Sequence, residues 1–378
     1  MAKSMTTQSA QELRVLFAGG GTAGHLLPAL ATEDALIALA SEQGLSVSSS
    51  YLATQNGAEL PILKKRGAKF TLVPKCDFPR KLSFDLITFL PRLTVAVLKA
   101  LRVATKVDVV VGFGGYVALP AYLAAKITSK PLIIHEANAL PGLANQVGKK
   151  FALNAFTNFP ISQWSSSEVI GLPIRKSIWS IGQLSTAARQ KAQVEARIAL
   201  GLHEQQKTLL VFGGSLGAAK LNEVLTHALP ALIDSGFQVL HATGPGKELK
   251  PAATPISVTS GYFQRPYISE MDQAYLAADV VISRSGAGSC AEILATGIPA
   301  LLVPLSIGNG EQRLNALTLG NSGQARVITN EELNAENLVS AVNELVAQPL
   351  RLTDKNVSAA ERMALAITNI VAQRKSAR

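Results

Sequence analysis

Short apolar, β-branched runs recur along this chain, several end in a glycine-rich turn, and helical stretches separate them. The series then restarts. In the first half the runs fall at 14–18, 47–53, 69–73, 108–111, 132–135 and 155–157; in the second they fall at 208–212, 238–242, 280–283, 300–303 and 326–328. Strands that alternate with helices pair in parallel, and runs apolar throughout are covered on both faces. The implied fold class is therefore α/β, with two Rossmann-like, doubly wound parallel-sheet domains facing across a cleft. We expect them at residues 1–170 and 171–355, with the linker near 171–173. The stretch 356–378 reads as an amphipathic helix that packs back on the first domain. A chain of 378 residues suits two domains.

Composition removes several classes. Hydrophobic residues make up 48% and charged residues 16%, which excludes a disordered chain. Two distant cysteines, Cys76 and Cys290, make no disulfide framework and read as reduced thiols. Residues 1–11 are polar and lack the apolar core of a signal peptide. The most apolar stretch, 86–101, is interrupted by Pro91, Arg92 and Lys99, so no spanning helix is expected. The net charge of +10 is concentrated in residues 1–170, which favours an anionic partner there: lipid headgroups, a phosphorylated substrate or nucleic acid. Aromatics are only 5% and no basic stretch interleaves them, so nucleic acid is not expected. The segment 78–92, with Lys99 and Arg102, mixes large apolar residues with cations. It reads equally as a patch lying on an anionic bilayer or as a core helix with solvated ends, and the basic first half favours the bilayer.

The chemistry-bearing motifs follow the strands. Gly19-Gly-Gly-Thr-Ala-Gly-His25 links the first strand to a helix. Glycines let backbone amides approach a phosphate, and a helix N-terminus favours an anion. A tight structural turn would look the same. His25, at the helix start, is a candidate general base, because the helix dipole disfavours its protonated form; a packing histidine is the plainer alternative. A dinucleotide site would want an acidic residue ending the second strand, yet Leu52-Ala-Thr-Gln-Asn56 has none. Gly112-Phe-Gly-Gly-Tyr116 and His135-Glu-Ala-Asn-Ala-Leu-Pro-Gly142 reach the same rim.

In the second half, Gly213-Gly-Ser-Leu-Gly217 offers backbone amides and the Ser215 hydroxyl to a phosphate. Ser283-Arg-Ser-Gly-Ala-Gly-Ser-Cys-Ala-Glu292 puts small residues at a helix N-terminus, with room for a diphosphate. Glu292 lies about a turn further, where a carboxylate can accept both hydroxyls of a ribose. Gln312 carries a donor and an acceptor suited to sugar hydroxyls. Cys290 reads as a packing residue.

Taken together and in this order, these motifs resemble the MurG family of GT-B glycosyltransferases over about residues 15–315. The resemblance implies an inverting hexosyltransferase that moves N-acetylglucosamine from UDP-GlcNAc to the MurNAc 4-hydroxyl of undecaprenyl-diphosphoryl-MurNAc-pentapeptide, lipid I, in peptidoglycan synthesis. It implies a peripheral enzyme on the cytoplasmic face of the bacterial plasma membrane, with anionic lipids and other cell-wall or division proteins among its partners. His25 would be the general base. Thr22, Gly24, Asn138, Arg175, Ser215, Glu292 and Gln312 would contact UDP-GlcNAc. Ser285, Gly286, Ala287 and Gly288 would hold the diphosphate, and Tyr116 and Glu136 would shape the acceptor pocket. No metal ligands or resident cofactor are implied; a divalent cation is compatible but has no evident protein ligands. Leu172 stands where the family often has Asn, Leu216 where it has Gln, and Glu311 where it has Gln or His. Competing readings are another GT-B UDP-sugar transferase with a lipid or small-molecule acceptor, a nicotinamide or flavin oxidoreductase, and a non-catalytic sugar-nucleotide binder.

Overall fold

Val15, Leu16, Phe17 and Ala18 are all fully buried, which fits the centre of a sheet covered on both faces. In the computed structural model they form β1 (Glu12–Gly19). The structure describes residues 12–76, 84–214, 218–248, 261–305, 310–321, 323–351 and 357–376. The polar 1–11 segment, Ser215 to Gly217 and part of the 78–92 segment lie outside them.

After β1 come α1 (Ala23–Glu42), β2 (Ser46–Ala53), α2 (Glu59–Arg66), β3 (Phe70–Leu72), α3 (Phe84–Ala104), β4 (Val109–Gly114), α4 (Ala118–Ile127), β5 (Leu132–Glu136), α5 (Leu143–Lys149), β6 (Asn154–Thr157) and β7 (Glu168–Val169). These strands pair in parallel in the order β3-β2-β1-β4-β5-β6-β7. The chain continues through α6 (Lys176–Trp179), α7 (Thr186–Ala199), β8 (Lys207–Phe212), α8 (Ala219–Asp234), β9 (Phe237–Ala242), β10 (Tyr262–Arg265), α9 (Met271–Ala277), β11 (Val280–Ser283), α10 (Ala287–Thr296), β12 (Ala300–Leu302), α11 (Glu311–Asn321), β13 (Ala325–Val327), α12 (Ala335–Leu345) and α13 (Ala359–Ser376). The second sheet, also parallel, runs β10-β9-β8-β11-β12-β13. In both sheets the order reverses beside the first strand, between β1 and β4 and between β8 and β11. Ligands of doubly wound sheets bind beyond the strand ends at that point.

The chain divides into two units. Unit 1 is Met1–Ala137, Pro141–Pro173 and Val357–Arg378; unit 2 is Asn138–Leu140 and Ile174–Asn356. One face of the first sheet is covered by α1 and α13, where Leu26, Leu30 and Leu36 share a core with Met363, Ile367 and Ile370. On the other face α3 lies against α4. Ala96, Ala100 and Ala104, spaced four apart on α3, are fully buried and permit a close approach of the two helices. The other side of α3 exposes Leu90 (62%), Val95 and Leu98 (55%) together with Arg92 and Arg102. The helix therefore combines both sequence readings, a small-residue core stripe and an apolar, basic outer stripe.

Two strands were not expected. β7 has two exposed residues at a sheet edge, and β10, Tyr-Phe-Gln-Arg, has no fully buried position. Neither carries the apolar run that marks a covered strand; both form because the preceding edge offers unpaired backbone groups.

Candidate active site

In unit 1 the chain leaves β1 through Gly19–Gly21 and enters α1 at Ala23, so His25 occupies the first helical turn. Thr22, at the N-cap position, makes no side-chain bond to the helix amides. Its Oγ1 lies 3.0 Å from Nδ1 of His25. The ring's surroundings explain the glycines of the second motif. A Cβ on Gly114 would sit 3.5 Å from His25 Nε2, and one on Gly115 would sit 1.9 Å from the Gly20 carbonyl oxygen. Both residues have positive φ, +86° and +80°. A Cβ on Gly21 would sit 2.5 Å from the Tyr116 ring. Thr22, His25, Gly114, Gly115 and Tyr116 are thereby brought together where the strand order reverses. His25 is half-buried, and burial lowers its pKa to about 4 against the upward pull of the Glu59 carboxylate. The imidazole is neutral at physiological pH, as a general base must be.

Sequence reasoning missed Glu59. It is fully buried and folds back from the start of α2 toward β1. Its Oε2 accepts the Gly21 N–H at 3.0 Å, and its Oε1 accepts the Thr54 N–H and hydroxyl, each at 2.9 Å. Gly57 makes the fold-back possible, since a Cβ there would meet the carboxylate at 2.2 Å. The available signal was a Gly-x-Glu just after β2, three residues beyond the stretch inspected for an acidic residue.

A second buried network supports the rim. Tyr122 donates its hydroxyl proton to Asn145 Oδ1 at 2.6 Å and accepts the Gly114 N–H at 3.3 Å. Asn145 Nδ2 donates to Glu136 Oε2 (2.9 Å), which also accepts the Gly142 N–H (3.0 Å). Glu136 is 3% exposed, so its carboxylate braces the β5–α5 loop from within. A Cβ on Gly112 or Gly148 would strike the Tyr122 ring at 2.0 or 2.6 Å. Neither Tyr122 nor Asn145 belonged to a recognisable motif.

In unit 2 the second reversal point carries α10. Gly286 caps it in extended backbone (φ −63°, ψ 148°), and a Cβ on Gly286 or Gly288 would meet nothing within 4 Å. The first amides of α10 thus open onto space. Ser285 is fully buried and donates its hydroxyl proton to the Gln312 carbonyl at 2.8 Å. Gln312 Oε1 accepts the Leu305 N–H at 3.0 Å. Asn315 Nδ2 donates to Asn138 Oδ1 at 3.2 Å and to the Ser285 carbonyl at 3.3 Å. Asn138, Ser285 and Gln312 are therefore gathered around Asn315, which sequence reasoning had not singled out. Further along α10, Glu292 Oε2 accepts the Tyr275 hydroxyl proton at 3.0 Å, and Arg175 Nη2 stands 3.9 Å from Oε1. Burial raises the Glu292 carboxyl, while Arg175 and Tyr275 pull it back. Arg284 is 7% exposed, and its Nη1 donates to the Val303 carbonyl (3.1 Å) and to Asn330 Oδ1 (3.0 Å), bracing the loops beside the α10 turn. Burial pushes the Cys290 thiol up to about 12, which leaves it unreactive.

The glycosyltransferase family 28 N-terminal domain matches residues 15–157 and the family 28 C-terminal domain matches 208–370. A Streptomyces coelicolor protein named UDP-N-acetylglucosamine–N-acetylmuramyl-(pentapeptide) pyrophosphoryl-undecaprenol N-acetylglucosamine transferase is 44% identical, over 92% of this chain and 93% of its own length. A Nocardia farcinica protein of the same name is 41% identical, over 94% and 93%. The crystal structure of Acinetobacter baumannii MurG aligns with a TM-score of 0.69 at 28% identity, covering 96% of this chain and 99% of that one. The chain belongs to the MurG family.

Within this MurG-family chain, the residues singled out in the sequence form two groups. Thr22, Gly24, His25 and Tyr116 lie around the unit 1 reversal point, with Glu136 behind it. Asn138, Arg175, Ser285 to Gly288, Glu292 and Gln312 lie in unit 2 around α10 and α11, and Ser215 is outside the described residues. Among the described residues, no cluster of three or more His, Cys, Asp or Glu side chains is placed to hold a metal ion. No described helix is long and apolar enough to cross a membrane.

Proposed function

We infer that this chain is the N-acetylglucosaminyltransferase that moves GlcNAc from UDP-GlcNAc to the MurNAc 4-hydroxyl of undecaprenyl-diphosphoryl-MurNAc-pentapeptide, inverting the anomeric centre. The observation that carries the reading is His25: a neutral, half-buried imidazole at the reversal point of unit 1, with Nδ1 held by Thr22. With Nδ1–H donating to Thr22 Oγ1, the Nε2 lone pair takes the acceptor hydroxyl proton as the new glycosidic bond forms. The bond from the anomeric carbon to the diphosphate oxygen breaks, and UDP leaves with the electron pair.

Unit 2 receives that charge. The open amides of α10 at Gly286 to Gly288 face the diphosphate, and a helix N-terminus stabilises such an anion. Glu292, oriented by Tyr275, accepts the ribose hydroxyls. Arg175 sits beside Glu292 and offers the remainder of its guanidinium to the diphosphate; its Nε has no partner among the described residues. Asn138 and Gln312 contact the GlcNAc hydroxyls, and Tyr116 and the loop braced by Glu136 shape the acceptor side. The exposed apolar and basic stripe of α3 rests on anionic lipid at the cytoplasmic face, which brings the enzyme to its lipid-linked acceptor.

Transfer of labelled GlcNAc to a lipid I analogue tests the function, with a diacylglycerol and small aglycones as competing acceptors. Selective labelling of the lipid I analogue is the expected result. Preference for a competing acceptor would reassign the substrate class, and stabilisation by NAD(P) in place of UDP would remove the transferase reading altogether.

A further inference from the structure

The glycine-rich turn of unit 1 has the form of a phosphate cradle: a strand, glycines that expose backbone N–H groups, and a helix N-terminus. Its Gly21 N–H nevertheless already has an anion. The Glu59 carboxylate takes that bond at 3.0 Å, lies fully buried, and is anchored from the other side by the Thr54 N–H and hydroxyl at 2.9 Å. Two glycines make room for it. A Cβ on Gly57 would overlap the carboxylate, and one on Gly20 would press on its Cδ at 3.2 Å. A buried charge without a cationic partner is costly, and the described residues give Glu59 no ion pair. The Gly20–Gly21 turn that Glu59 holds leads into the first turn of α1, and a Cβ on Gly115 would meet both the Gly20 carbonyl oxygen at 1.9 Å and His25 Nδ1 at 3.4 Å; His25 is the group there that becomes cationic during transfer.

We propose that Glu59 is a built-in anion that fills the phosphate cradle of unit 1 and acts as the counter-charge of the His25 imidazolium formed during transfer. This rests on His25 being the base. Glu59 is a positioning residue: it holds the Gly21 N–H and the Thr54 N–H and hydroxyl while His25 Nε2 takes up the hydroxyl proton and later releases it to solvent. The titratable and charged groups packed around the ring are Glu59 from α2, Tyr116 from the turn after β4, with Lys75 over its ring at 5.1 Å, and, behind Gly114, Tyr122 and Glu136. Among these, Glu59 favours the protonated form of His25 that burial opposes.

The test is a double-mutant cycle on the full-chain enzyme with Glu59→Gln and His25→Gln. Glu59→Gln is expected to lower kcat at least ~10-fold, about the effect of one lost charge contact at ~1.4 kcal/mol per decade, with KM for UDP-GlcNAc unchanged. Glu59→Asp should recover part of the loss. In the His25→Gln background, Glu59→Gln should cost nothing further, because it acts through the imidazole. Additive losses, or unchanged kcat in Glu59→Gln, overturn the proposal. Wild-type turnover in His25→Gln overturns the general-base reading instead. If Glu59→Gln does not fold, Glu59→Ala purified in formate carries the test. Turnover that rises with formate in the variant and not in the wild type supports a carboxylate in the cradle, and formate-independent turnover refutes it.

Discussion

Acidification should destabilise unit 1 in part through His135. This residue is fully buried on β5, where Nε2 donates to the Gly171 carbonyl at 2.7 Å and Nδ1 has no partner among the described residues. Protonation would place an unsatisfied N–H and a charge in the core, so burial lowers the pKa to about 4 despite the Gly171 bond. The unfolded chain therefore binds a proton near the ordinary value of 6.5 while the folded one resists it. Stability is full above 6.5, falls as the pH drops below it, and the loss is complete once the pH passes below about 4. At ~1.4 kcal/mol per tenfold change in proton affinity, the interval corresponds to ~3 kcal/mol. The assay is urea unfolding at several pH values, followed by Trp164, which is 6% exposed in unit 1, in a Trp179→Phe background that silences unit 2. His135→Gln can still donate to Gly171 but cannot be protonated. It should be less stable than the parent at pH 7 and lose ~3 kcal/mol less on going to pH 4. An identical acid slope in the two proteins would show that His135 is not the buried base assumed here.

Other consequences are more local. Tyr275→Phe removes the hydroxyl that orients Glu292, so KM for UDP-GlcNAc should rise ~5–10-fold at nearly constant kcat, the effect of ~1–1.5 kcal/mol for one hydrogen bond; a fall in kcat alone would contradict this. Gly115→Ala would force a Cβ to 1.9 Å from the Gly20 carbonyl at φ +80° and should destabilise unit 1 by more than ~2 kcal/mol in thermal unfolding. Leu90→Ser with Leu98→Ser should weaken binding to vesicles containing anionic lipid without lowering Tm, because both side chains are more than half exposed; unchanged vesicle binding would place the membrane contact elsewhere.

The parallel architecture was legible because strands such as β1, β4 and β11 are buried on both faces and must read as apolar runs. β7 and β10 were invisible because edge pairing needs backbone groups more than side chains. His25 and Glu292 stood out because each lies on a helix that follows a glycine-rich turn from a strand. Glu59 had a signal in the Gly-x-Glu after β2, whereas Tyr122, Asn145, Tyr275 and Asn315 could not stand out, because they act through contacts made only after folding. Tyr122, for instance, is positioned by glycines 10 residues before it and 26 after. The α3 segment looked ambiguous because it is two-sided: its alanine stripe packs, while Leu90 and Leu98 stay exposed.

The most direct test is turnover and UDP affinity of His25→Ala, measured side by side. Loss of GlcNAc transfer to the lipid I analogue, with UDP binding to unit 2 unchanged, is the predicted result. Near wild-type transfer by that variant would mean that another group takes the acceptor proton.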